Sequence, residues 1–144
     1  MEGNKIDDLG GGAFKTVDAV KRYSALDQYA MGLLSPSQVP DFFYVDSPTN
    51  IVPRRDATSA PEIGVTFNGT RRDLRIEDVI AAMGARNPTS SNSPRVHRQA
   101  FIYLVTQPRE SSADLDKIER IRAAWETFFR DSTDRRGTIN ARLR

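Results

Sequence analysis

The chain has 144 residues, 38% of them apolar and 28% charged, with a net charge of +2, which suits one folded domain. It holds no cysteine and a single histidine, His97; this excludes disulfides, zinc–thiolate sites and a cysteine nucleophile, and leaves too few imidazoles for a catalytic zinc site of the usual kind. No apolar run approaches the roughly 18 residues of a membrane span, and the opening MEGNKIDDLGGGAF lacks the basic cluster and apolar core of a signal peptide.

Residues 1–13 are glycine-rich and acidic. Gly10, Gly11 and Gly12 permit positive φ, so the stretch reads as loop. Asn4, Asp7 and Asp8 could offer oxygens to calcium, but their spacing does not match the twelve-residue calcium loop. Residues 14–22 read as a turn of helix. The segment YSALDQYAMGLL (23–34) then presents a capped apolar helix. Ser24 supplies the cap, Asp27 suits the positive helix end, and Leu26, Tyr29, Ala30 and Leu33 share a face. Pro36 ends it, because it has no N–H and restricts Ser35.

DFFYVD (41–46) alternates as a short strand, and residues 47–61, with three prolines and no period, read as a long surface connection. EIGVTF and TRRDLRI flank Asn68-Gly69, which predicts a two-residue hairpin within 62–76. IEDVIAAMG predicts a helix capped near Asp73 and closed at Gly84. Residues 85–95 read as exposed loop. QAFIYLVTQ (99–107) is apolar and rich in β-branched and aromatic residues, which predicts a central strand. The last helix starts at the box-like pair Ser111 and Asp114. Leu115, Ile118, Ile121, Trp125, Phe128 and Phe129 give it one apolar face, expected to pack on the 99–107 strand. GTINARL (137–143) can add an edge strand.

This order predicts a single α+β domain over 1–144: a small, mostly antiparallel sheet against about three helices, with a long amphipathic helix near the C-terminus. Residues 1–48 hold the glycine-rich loop, the first helix and a strand; residues 62–144 hold the hairpin, helix, strand, helix and edge strand.

Searching for chemistry yields little. No phosphate-binding glycine loop, dinucleotide fingerprint or nucleophile elbow occurs. His97 lies between Arg95 and Arg98, two cations that disfavour an imidazolium and do not orient a base. The neighbouring acids Asp7/Asp8, Glu77/Asp78 and Asp114/Asp116 are better explained by helix starts and solvated loop than by a carboxylate pair across a cleft. Phe42, Phe43 and Tyr44 could line a groove, though a half-buried strand is the commoner use of such a run. The basic pairs Arg54-Arg55, Arg71-Arg72 and Arg135-Arg136 are dispersed without interleaved aromatics, so no nucleic-acid partner is expected.

One resemblance rests on Tyr23, Ser24, Leu26, Asp27, Tyr29, Met31, Gly32 and Leu33, followed by Pro36, Ser37, Val39 and Pro40. This string resembles a segment of large secreted bacterial zinc metallopeptidases, zincin- or metzincin-like in outline, that lies downstream of their H-E-x-x-H helix. NGTRRDLRIEDVIAAMGARNP, QAFIYLV and IRAAWETFF resemble the C-terminal part of the same family. The resemblance implies that Tyr29, Met31 and Gly32 form a Met-turn-like support. No H-E-x-x-H is present, so it carries over no catalytic or metal-binding residue. It implies a non-catalytic C-terminal subdomain or fragment, inactive alone, with zinc only in a full-length parent. Such a fragment is expected to leave an apolar face uncovered on the 23–34 helix, to be met by a second copy or by the missing N-terminal catalytic half. The alternative is a self-sufficient binding domain using the 47–61 and 85–95 loops.

Overall fold

A computed structural model describes residues 3–56, 58–105 and 111–142. The chain is an α+β protein. A four-stranded antiparallel sheet takes the order β1-β2-β4-β3, formed by β1 (Gly3–Gly10), β2 (Ala13–Val20), β3 (Phe42–Val52) and β4 (Thr66–Leu74). Three helices follow the expected positions: α1 (Ala25–Ala30), α2 (Ile76–Met83) and α3 (Ser112–Ser132). A small parallel pair joins β5 (Val96–Arg98) to β6 (Thr138–Asn140).

The helices obey their caps. The Asp27 N–H donates to Ser24 Oγ at 3.0 Å, and the Ser24 N–H donates to the Asp27 carboxylate at 3.0 Å. Both partners of a capping box are thus in place. α3 starts the same way, Ser111 Oγ accepting from the Asp114 N–H. At α2 the cap is Arg75, two residues past Asp73, and the Arg75 N–H donates to Asp78 at 2.8 Å. Gly84 closes that helix at φ +82°.

The strands depart further from expectation. Residues 3–13 and 14–22 are not loop and helix turn. The described part forms the β1–β2 hairpin, turned by Gly10, Gly11 and Gly12, all at positive φ. β1 is exposed almost throughout, so it has no buried face to imprint an apolar alternation on its sequence. Asn68-Gly69 makes no hairpin turn. It lies inside β4, which pairs with β2 on one side and β3 on the other. The glycine answers a close approach instead: a Cβ on Gly69 would sit 2.3 Å from Val45 Cγ1. The 41–46 strand runs on to Val52, with Ser47 and Asn50 at positive φ where its register shifts. Part of the supposed 47–61 connection is therefore strand.

Residues 99–105 form no strand; positions 106 and 107 lie outside the described residues. Only Gln99 continues β5, donating to Asn140 O at 3.2 Å. β6 is three residues long, so beyond it residues 100–105 find no strand to pair with. α3 accordingly packs on β6, with Phe129, Ile139 and Ala141 at the centre and Tyr23, Met31, Phe101 and Trp125 around them. A separate cluster gathers Tyr29, Leu34, Val39 and Ile76, flanked by Leu26, Phe42, Val79 and Ile80. Segment 23–34 stands between the two, Tyr29 in one and Met31 in the other.

Candidate functional site

The Met-turn-like residues occupy a joint between segments. The buried Tyr29 hydroxyl accepts from the Arg86 N–H at 3.0 Å, and Arg86 Nε donates to Ala30 O at 2.8 Å. Gly32 sits at φ +75°, and a Cβ there would come 2.1 Å from Ser93 Oγ. Arg95 donates to Leu33 O at 2.9 Å. The 85–95 loop is thus clamped onto the end of α1 through Tyr29, Ala30, Gly32 and Leu33. Met31 is half-buried in the α3 cluster.

Beside this joint lies a polar network. Gln28, buried in α1, donates to Asp134 at 2.9 Å and to Tyr23 O at 3.1 Å, while its own oxygen accepts from Arg136 at 3.0 Å. Asp134 also accepts from Arg136 at 2.9 Å and from Arg22 at 3.0 Å. The Gln28 amide first, then the two guanidinium groups, hold its carboxyl below the ordinary carboxylate range. This network ties residues 22–28 to residues 134–136 and leaves Asp134 committed to structure.

The other titratable candidates are similarly employed. Asp8 accepts from the Gly10 N–H and pairs with Arg71, and both partners lower its pKa. Asn4 and Asp7 are exposed along β1 rather than gathered in a calcium loop. Asp78 caps α2, and Asp114 accepts from the Tyr103 hydroxyl at 2.9 Å. The His97 ring meets Phe129 edge-on at 6.3 Å. Among the described residues, no three His, Cys, Asp or Glu side chains come together as a metal site, and no helix is long and apolar enough to cross a membrane.

Three apolar features stand out. The first is a groove of about 390 Å³ on one sheet face, floored by Ile6, Phe43, Val45 and Phe67 and closed on one side by Ile51 and Val65. Its rim carries the Arg55–Glu62 ion pair. Below it Phe14 stacks on Phe67 at 5.7 Å. Thr16 anchors the returning chain, donating to Glu62 O at 2.6 Å and accepting from the Val65 N–H at 2.9 Å. Of the aromatic run, Phe43 and Tyr44 line the groove while Phe42 turns to the α1–α2 cluster. The 47–61 segment contributes to the wall; the 85–95 loop does not.

The second feature is an open face on α3. Phe129 is buried, yet Leu115, Ile121 and Phe128 each keep more than 40% of their surface in water. Residues 101–105 cross this helix. Phe101 meets Trp125 edge-on at 6.2 Å, Gln99 accepts from Trp125 Nε1 at 2.7 Å, and Tyr103 reaches Asp114. Ile102, between the last two anchors, and Leu104, just beyond them, are 81% and 84% exposed. On the 23–34 helix, Tyr29 is buried against α2 and the 85–95 loop, while Leu26 and Ala30 line an open apolar groove of about 520 Å³ with Val79 and the exposed Met83; a further bare surface lies on α3 and the segment crossing it. Periodicity located the α3 face correctly, but the strand meant to cover it does not form.

No family model matches this sequence, and no curated protein or solved structure is similar to it.

Proposed function

We propose that this chain is a non-catalytic subdomain, the C-terminal portion of a zinc-metallopeptidase-like protein, and that it works by contact rather than by chemistry. The observation that carries the reading is the apolar face on α3 and residues 101–105, where large side chains stand in water beside a well-packed cluster. Such a face favours a further polypeptide surface. The resemblance of 23–40 to the segment after an H-E-x-x-H helix supplies the parentage. The clamped joint at Tyr29 and Gly32, with Met31 packed against the α3 cluster beside it, supports a role as a rigid base for a neighbouring site. Zinc belongs to that parent and not to these residues. The test is the coding sequence immediately upstream of Met1. An in-phase H-E-x-x-H is the expected result; an in-phase sequence without one removes the parentage.

A self-sufficient binding domain is the second reading, favoured by the groove on the sheet face. Limited proteolysis separates the two: a self-sufficient domain resists throughout, whereas a subdomain is cut first within residues 1–48.

A further inference from the structure

We propose that a second copy of this chain covers the α3 face, the two copies joining through antiparallel pairing of residues 101–105. The inference rests on reading that face as an interface and is independent of the metallopeptidase-like parentage.

The segment is prepared for pairing in three respects. No hydrogen bond among the described residues engages the backbone of Phe101, Ile102, Leu104 or Val105, so their donors and acceptors are open to an added strand. Its side chains alternate: Phe101 and Tyr103 are anchored to α3, whereas Ile102 and Leu104 point away from it. It is also uncharged from Gln99 to Val105, so self-pairing sets no like charges opposite one another.

These features select both the occupant and the register. A two-fold axis through Tyr103 sets Ile102 opposite the partner's Leu104 and Phe101 opposite the partner's Val105. Each is an apolar pair, and each keeps both residues on the same face of the ribbon. The hydrogen-bonded positions are then Ile102 and Leu104, while Tyr103 takes the non-hydrogen-bonded position on the axis. A segment that matches itself about one axis is what an isologous dimer needs.

Asp114, Ile121 and Phe128 lie seven residues apart, on one line of the helix, and Tyr103 is anchored on that line. The ribbon sets Ile102 and Leu104 of the two copies together on one face and both α3 helices on the other, where Val105, Ile121 and Phe128 are still partly in water.

Sedimentation velocity of the full chain at micromolar concentration tests this, with two variants. Ile102→Lys combined with Leu104→Lys changes only side chains already in water, so its thermal unfolding should match wild type. Leu104→Pro removes one ladder donor and leaves the apolar character. The wild type should sediment as a dimer, and each variant should raise the dimer dissociation constant at least about tenfold. A wild-type chain that stays monomeric overturns the proposal. So does a dimer that Leu104→Pro leaves intact, because the contact is then not a strand pair. A monomer would not touch the parentage, and an upstream sequence without H-E-x-x-H would not touch the dimer.

Discussion

Replacing Gly32 by alanine should be among the costliest single-methyl additions in the chain. The backbone there has φ +75°, a conformation that costs an L-residue roughly 1–2 kcal/mol. The new methyl carbon would lie 2.1 Å from Ser93 Oγ and 2.8 Å from Ser93 Cβ. Ser93 cannot easily retreat, because it is buried and its hydroxyl donates to Pro88 O at 3.1 Å. Overpacking of this kind costs about 1–3 kcal/mol, so Gly32→Ala should lose about 2–5 kcal/mol in all. Urea unfolding followed by tryptophan fluorescence and circular dichroism measures the loss. A double-mutant cycle with Ser93→Gly isolates its source. Removing the Ser93 side chain should recover the packing part and leave the φ part, giving a coupling of about 1–3 kcal/mol. A Gly32→Ala protein within about 0.5 kcal/mol of wild type, or a strictly additive cycle, would refute the reasoning.

Three further outcomes follow from the same geometry. Gly69→Ala should destabilise by about 1–3 kcal/mol through overpacking against Val45, and Val45→Ala should relieve it; no relief would mean that Gly69 does not lie in the strand interior. Ser24→Ala should cost about 0.5–2 kcal/mol by removing the α1 cap, read as a lowered urea midpoint at unchanged slope. Asp134 has a folded-state pKa below its unfolded value, so its contribution is present above about pH 4 and is lost as pH falls through the folded value. Asp134→Asn should therefore be less stable than wild type at neutral pH, by up to about 1 kcal/mol, with the gap closing in acid; a pH-independent gap would contradict the assignment.

The helices were legible because their signals are local. Ser24 with Asp27, and Ser111 with Asp114, lie within one turn of the apolar faces they introduce. The sheet was less so. β1 is solvated on both faces and leaves no alternation, and Asn68-Gly69 has the composition of a turn while its glycine serves a contact with Val45 from another strand. The sequence 99–107 has strand composition throughout, but pairing depends on how far β6 reaches, which composition does not encode. The groove draws its lining from Asn4 through Phe67, so no single window of sequence announces it. The aromatic run Phe42–Tyr44 and the 47–61 segment signalled a lining role, and Phe43, Tyr44 and part of 47–61 take it. The seat of Gly32 against Ser93 spans sixty-one positions of sequence and was equally invisible. Met31-Gly32 marked the end of α1, while the loop clamped upon it was not foreseen.

The proposal that this polypeptide works by contact, without catalytic metal chemistry of its own, is tested most directly by metal content measured together with peptide hydrolysis on the purified chain. The account predicts no stoichiometric zinc after purification in zinc-containing buffer and no chelator-sensitive cleavage of a broad peptide library. One tightly held zinc per chain, with cleavage abolished by a chelator and restored by the metal, would contradict it.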